Sequence, residues 1–475
     1  MQRERKSGVL MHISSLPSGY SIGGLGASAY KFIDFLSAAG FSYWQVLPLT
    51  VTDKYNSPYK SRGFFTLNPF FIDLETLFSE GLITSAELNS AHEHSPYLVE
   101  YDRLWGSRLG LLHSAAKRYG DKESVRAFIA QRPHLARAAY FLALSDTAGA
   151  LRGRCDALDA EALYLWQFLH YVFFKQWMAL KSYANARGVE IIGDLPMYAD
   201  YDSSDVYFNP ECFMLDGSCE MLAVAGVPPD SFSKEGQLWG NPLYNWDYIK
   251  NTGFALWRER AFVSIEMFDA LRLDHFRAIE SFYSIPNGAP NACAGKWQPG
   301  PREDFVRAFS RFVGNKAVIA EDLGGISKEV DSLEGLGGFY NTRIVQFGFS
   351  DGGAHLSHSF NARTFAYTGT HDNNTLLGYI FGADEGERVK LFDYYGIHHQ
   401  NFELAAFDII EATMRSSAAA VILPVQDLLL FGDDTRMNVP GTAEGNWRFR
   451  LTAAALNVLC ENSGKWKNIN LKFRR

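Results

Sequence analysis

The sequence predicts an α/β fold: a (β/α)8 TIM barrel with large insertions after strands 2 and 3. Three observations predict it. Eight short apolar runs recur along the 475 residues, largely separated by helical or loop segments. The runs are nearly continuous in apolar residues, as parallel strands covered on both faces are. Polar residues capable of chemistry gather at their C-terminal ends, the rim on which active sites of this fold are built.

The first run is Gly8 to Ser14. A helix follows over Tyr30 to Ala39, with Phe32, Ile33, Phe35 and Leu36 on its apolar face and Gly40 to close it. The second run is Tyr43 to Leu49, and the third is Val189 to Leu195. About 140 residues separate them, far more than one connecting helix needs. Within that stretch, Glu87 to Arg154 carries helical patterning (Leu104, Leu109, Leu111, Leu112, Ala115), and Leu163 to Arg187 reads as the barrel helix leading into the third strand. A second insertion, Met197 to about Ile249, is rich in Gly, Pro, Asp and aromatic residues, as binding loops are. The remaining runs are Ala270 to Phe276, Ala317 to Gly324, Thr342 to Phe347, Thr364 to Asp372 and Ala420 to Asp427. There is no internal repeat, low-complexity tract or Pro/Ser linker. We therefore expect one catalytic domain over residues 1–475, with inserted subdomains at approximately 50–160 and 197–250.

Hydrophobic residues make up 47% of the chain, enough for a large core. A net charge of −8 argues against nucleic acid as a partner. Cys155, Cys212, Cys219, Cys293 and Cys460 are odd in number and form no CxxC, so neither a disulfide framework nor a zinc site is expected. The short apolar run near the N-terminus does not read as a secretory signal, and no stretch is long and apolar enough to span a membrane. A cytoplasmic enzyme is the expectation. The aromatic share is 15%, with 10 Trp and 23 Tyr. Most of the 36 Phe belong to the core, but amphipathic rings also suit a ligand with apolar faces and hydroxyl edges, as a sugar has.

The chemistry centres on Ala270-Leu271-Arg272-Leu273-Asp274-His275-Phe276. Alternation places Leu271 and Leu273 on one face and Arg272 and Asp274 on the other. A buried strand has no use for that charged face unless something polar is held at its end. Glu321 and Asp372 stand at the ends of the fifth and seventh runs, so all three acids would share one rim. Breaking an acetal with retention needs one carboxyl to protonate the leaving oxygen and a second to attack the anomeric carbon. An adjacent guanidinium favours the charged form of a carboxylate, which suits Asp274 as nucleophile. Apolar Val318-Ile319-Ala320 before Glu321 would raise its proton affinity, which suits an acid/base. Asp372, beside His371, can bind sugar hydroxyls and stabilise an oxocarbenium-like transition state. Each residue also has a structural alternative: an Arg–Asp pair at a strand end, an Asp cap after Glu321, a capping sequence around Asp372. A carboxylate metal site is a further use of the rim, opposed by the charge of Arg272.

Arg272-x-Asp274-His275, Glu321 and Thr370-His371-Asp372 resemble the three catalytic segments of the α-amylase superfamily. Flanking motifs narrow the resemblance to 4-α-glucanotransferases of the amylomaltase (disproportionating enzyme) type, glycoside hydrolase family 77. They are His12-Ile13-Ser14-Ser15-Leu16-Pro17-Ser18, Trp44 to Leu49, Asn56-Ser57-Pro58-Tyr59, Gly193 to Tyr198, Gly226 to Asp230, Gln237 to Pro242, Arg436 to Thr442, and Asn446-Trp447. They run in family order from about residue 8 to residue 450.

The resemblance implies a double displacement. Asp274 would be the nucleophile, Glu321 the acid/base and Asp372 the transition-state stabiliser. Arg272 would orient Asp274, and His371 and His275 would contact substrate. Tyr59 would stack on the sugar at the cleavage site, and Trp239, with Asp230 and Gln237, would lie on a loop over the bound chain. The implied partners are maltooligosaccharides and α-1,4-glucans, with no metal or organic cofactor. An α-1,4-glucan hydrolase using the same triad is the alternative. The chain departs from the family pattern at Ile22-Gly23-Gly24-Leu25, where an acidic residue usually follows Ile-Gly. It departs again at Arg62-Gly63-Phe64-Phe65-Thr66-Leu67-Asn68-Pro69, which usually reads like Ser-Ala-Phe-Ala-Gly-Asn-Pro, and at Arg448 after Trp447. The first two bear on fine specificity rather than on reaction type.

Overall fold

The computed structural model describes residues 5–148, 158–229, 234–323, 327–349 and 351–475. In chain order the strands are β1 (Lys6–Leu10), β2 (Tyr43–Gln45), β3 (Glu190–Leu195), β4 (Ala223–Val227), β5 (Gln237–Pro242), β6 (Ala270–Leu273), β7 (Ser281–Pro286), β8 (Lys296–Pro299), β9 (Ala317–Ala320), β10 (Tyr340–Ile344), β11 (Thr364–Tyr367) and β12 (Ala420–Pro424). Eight of them close into a parallel barrel in the order β1-β12-β11-β10-β9-β6-β3-β2. These are the eight apolar runs, each a shorter strand than its run, with β1 and β10 starting two residues earlier than expected. The second run, for example, is a strand only as far as Gln45, and the amide of Val46 continues the ladder to Ile192 O at 3.0 Å. The polar tails of the runs leave the ladder as turns, which frees their side chains for the rim.

Register explains what the barrel wall presents. β3 and β6 pair with Asp194 directly opposite Arg272, and β6 and β9 pair with Leu273 opposite Ala320. The ladder runs one step further: Asp274 N donates to Leu195 O at 3.1 Å and Glu321 N to Leu273 O at 3.0 Å. Asp194, Arg272, Gln45 and Tyr367 share the buried upper interior of the barrel, where the Tyr367 hydroxyl donates to Gln45 Oε1 at 2.9 Å. The opposite faces of the strands pack outward, as where Trp44 meets Phe32 of the helix Ala27–Ala39 at 5.2 Å between ring centroids. Gly40 ends that helix at φ 77, a left-handed conformation that favours glycine, and returns its N–H to Leu36 and Ser37.

The segment between β2 and β3 folds into short helices before the 27-residue barrel helix Ala160–Ala186, which starts at an Asp159 cap on the amide of Glu161. The second insertion supplies β4 and β5. They form an antiparallel sheet with β7 and β8, in which β4 pairs with β5 and β7, and β7 with β8. This small sheet therefore draws strands from the loops after both the third and the fourth barrel strands, and an excursion after the fourth was not expected from the sequence.

Gly193 in β3 is a close-packing glycine. A Cβ built there would lie 2.2 Å from the Phe268 ring, and Trp177 packs against that ring edge-on at 5.6 Å, so it cannot retreat. Gly193→Ala is expected to lower the unfolding free energy by roughly 1–3 kcal/mol, the usual scale of overpacking. Urea denaturation measures it, and an unchanged midpoint would contradict this packing.

Candidate active site

Arg272 is the centre of the site. Its side chain is 4% exposed and lies among three carboxylates. Nη1 donates to Asp194 Oδ1 and Oδ2 at 2.8 and 2.6 Å and to Asp274 Oδ1 at 3.1 Å. Nη2 meets Glu321 Oε2 at 3.1 Å. One guanidinium thus spans the carboxyls of Asp274 and Glu321, each 3.1 Å from one of its nitrogens. Burial alone would lower the proton affinity of Arg272, but Asp194, Tyr59, Glu321 and Asp274 together raise it well above its ordinary value.

Glu321 also accepts the backbone N–H of His275 at 2.6 Å. His275 takes a left-handed conformation, φ 42, which is rare for a residue with a Cβ and typical of a strained functional position. Burial, helped by Asp274 and opposed by Arg272, pushes the Glu321 carboxyl up to about 8. The expected effect of apolar surroundings is present, and the negative neighbour adds to it. Burial holds His275 down at about 4, so its ring is neutral at physiological pH.

Asp372 sits on the turn after β11. Asn438 Nδ2 donates to its Oδ1 at 2.6 Å, His371 Nε2 lies 3.4 Å from its Oδ2, and Arg436 donates to its backbone carbonyl at 2.6 Å. Burial raises its proton affinity, but His371, Asn438 and Arg272 outweigh burial and leave it below the ordinary carboxylate range. The capping alternative for this segment is also real: Thr375 caps the helix Leu376–Gly382. The cap and the carboxylate use different residues of the same turn.

Rings form the walls of a cleft of about 480 Å³ that contains Asp274, Glu321 and Asp372. On one side Tyr59 stacks on His371 at 5.0 Å with 16° between planes, and Trp447 packs against both. The Tyr59 hydroxyl donates to Asp194 Oδ2 at 2.7 Å, which locks the ring. On the other side Trp239 meets His275 edge-on at 4.8 Å, beside Tyr198, and donates its Nε1 hydrogen to Gln237 Oε1 at 3.1 Å. The structure therefore brings together Tyr59, Gln237, Trp239, Arg272, Asp274, His275, Glu321, His371 and Asp372. Asp230 lies outside the described residues. Among the described residues, no group of three or more His, Cys, Asp or Glu side chains is arranged to hold a metal ion.

Asp194, Asn438, Arg436 and Trp447 lie within motifs quoted from the sequence, but no role in the site was assigned to them there. Asp194 carried the same signal as Asp274, a carboxylate at the end of an apolar run. Its side chain is wholly buried, and its partners are Arg272 and Tyr59. Asp194→Asn would leave Arg272 under-compensated in the barrel. We expect a loss of roughly 3 kcal/mol in stability, the scale for breaking a buried ion pair, together with a fall in activity. Urea unfolding and initial rates measure the two, and native values for both would remove Asp194 from the network.

The family model described as 4-alpha-glucanotransferase matches residues 11–456. A 4-alpha-glucanotransferase of Synechocystis sp. is 38% identical, over 96% of this chain and 96% of its own. One from Aquifex aeolicus is 39% identical, over 94% and 95%. The solved amylomaltase from Streptococcus agalactiae, in complex with acarbose, superposes with a TM-score of 0.94 at 33% identity, covering 99% of this chain and 100% of that one. The amylomaltase from Corynebacterium glutamicum shares the fold, with a TM-score of 0.78 at 18% identity, over 99% of this chain and 75% of that one. Matched along nearly its whole length by family model, relatives and structure alike, this chain belongs to the 4-alpha-glucanotransferase family.

Proposed function

We propose that the chain carries out 4-α-glucan transfer in this cleft by a retaining double displacement. A segment of an α-1,4-glucan passes to the 4-hydroxyl of an acceptor glucose or glucan. The observation that carries this reading is the Arg272 bridge, which holds one carboxylate and one carboxyl of raised proton affinity side by side. Asp274 attacks the anomeric carbon, the bond from that carbon to the leaving O4 breaks, and Glu321 gives its proton to that oxygen. The acceptor O4 then attacks the same carbon, its proton passes to Glu321, and the ester to Asp274 is released. Both bonds and both protons are accounted for by the two carboxyls, so the cycle draws on no metal or organic cofactor.

Asp372, held anionic, binds hydroxyls of the reacting glucose and stabilises the positive charge that develops on its ring. Arg272 orients Asp274. Tyr59 stacks on the glucose at the cleavage point, and His371 and His275 add contacts to it. Trp239 and Gln237 cover the bound chain. The partners are maltooligosaccharides and α-1,4-glucans. We place the enzyme in the cytoplasm; no helix among the described residues is long and apolar enough to cross a membrane.

Incubation with maltotriose separates transfer from hydrolysis, which differ only in whether sugar or water resolves the intermediate. Longer oligomers plus glucose are expected; glucose and maltose alone would mark a hydrolase. Asp274→Asn should abolish turnover, and full activity in that variant would refute its role. The pH profile tests Glu321. Above pH 8 it loses the proton that the leaving oxygen needs, so kcat/KM should fall about tenfold per pH unit on that limb. In Glu321→Gln this limb should vanish and maltotriose turnover should drop by about 10²–10⁴. A limb that persists in the variant would assign the proton to another group.

A further inference from the structure

Behind the cleft lies a second, much smaller space. It measures about 20 Å³, and His12, Ser15, Thr370, His371, Gln426 and Arg436 are among the residues around it. That is room for one water molecule and no more, since a water needs about 10–15 Å³ of such volume and two to four polar partners. Two polar atoms await such a partner. His12 Nδ1 and Ser15 Oγ are buried, and neither has a hydrogen-bond partner among the described residues. The residues themselves are 6% and 1% exposed. A buried polar atom left unpaired costs about 1–3 kcal/mol, so two in one small space point to a shared ligand.

Local structure explains the pairing. Ile13–Ser15 forms one turn of 3-10 helix directly after β1, with His12 as its N-cap. His12 and Ser15 stand at the two ends of this tight turn, and both line the small space. The turn is held rigidly. Ser15 N donates to His12 O at 3.0 Å, Ser15 O accepts from Leu451 N at 2.8 Å, and Met11 is fixed by Gln45 and Trp44. The His12 ring meets Phe71 edge-on at 5.4 Å and cannot swing away. Burial first, then His371, holds His12 down at about 3, so the ring stays neutral with one nitrogen donating and the other accepting. That ring and a serine hydroxyl together complement one water.

We infer that His12 is a positioning residue for the transfer reaction: with Ser15 it holds one water that closes the space behind His371. The inference rests on the reading above that His371 contacts substrate. His371 is stacked on Tyr59 on its cleft side. With the water in place its ring is held from behind as well and cannot retreat from the sugar. The aspect of the reaction at stake is binding of the reacting glucose, not proton transfer.

The test is initial-rate kinetics on maltotriose with His12→Phe, which fills the space with an apolar ring, and His12→Gln, which returns a polar end. His12→Phe should raise KM about tenfold with little change in kcat, the mark of lost uniform binding. His12→Gln should recover to within about threefold of the parent. A merely structural role would lower the melting temperature and leave KM alone. Wild-type KM in His12→Phe, or equal impairment in both variants, would overturn the inference. If His12→Phe does not fold, Ser15→Ala serves: it removes the second partner, should raise KM in the same direction, and overturns the inference if it does not. His371→Ala separates the two levels. Unchanged KM there would refute the substrate contact of His371 itself. A raised KM there, beside a normal His12→Phe, would refute only the water-held wall.

Discussion

The site depends on one buried cation. Arg272 has almost no contact with solvent, and such a charge is tolerated only when its partners are in place. The dependence is mutual, because Asp194 is as deeply buried and is ion-paired to Arg272. Strand register produces this pairing: Asp194 and Arg272 are directly opposed on neighbouring parallel strands. The next ladder steps bring Asp274 and Glu321 to the same rim, where Nη1, already on Asp194, also reaches Asp274 and Nη2 reaches Glu321. The alignment of the proposed nucleophile and acid is thus a consequence of how β3, β6 and β9 are zipped together. It needs no flexible loop to assemble it.

The two walls of the cleft are built differently. Tyr59 comes from the loop after β2 and His371 from the turn after β11, and the Tyr59 ring that stacks on His371 is tied through its hydroxyl to Asp194 in the upper barrel interior. Opposite them, Trp239 belongs to the small antiparallel sheet and is oriented by its contact with His275. The left-handed backbone at His275 performs two tasks. It aims an N–H at Glu321 and turns the ring outward to the tryptophan. Rings on both sides and polar atoms at the floor match the apolar faces and hydroxyl edges of a glucan.

The barrel was legible because parallel strands covered on both faces leave unbroken apolar text, and eight such runs in 475 residues admit few arrangements. Asp274, Glu321 and Asp372 were legible because they interrupt that text at its ends. The small sheet was not. β8 is exposed along all four residues and carries no apolar run, and the four strands come from two separate loops. Asp194 escaped because nothing in a single sequence separates a carboxylate aimed inward at a cation from one aimed at the cleft. Asn438 and Arg436 approach Asp372 from 66 and 64 residues away, a proximity that only the fold creates.

Two acids on this rim, Asp372 and Glu321, are shifted in opposite directions by their surroundings. Asp372 and Glu321 are both buried, and burial raises both. Asp372 then gains an amide donor and a histidine, which reverse the effect. Glu321 gains one backbone donor and a share of Arg272, but it also faces the Asp274 carboxylate, and burial prevails. Arg272 cannot equalise them, because two other carboxylates already draw on the same guanidinium. A cation shared with Asp194 and Asp274 therefore leaves Glu321 with raised proton affinity, as the proposed transfer to a departing glucan requires. The division of labour among the acids follows from how one buried positive charge is shared.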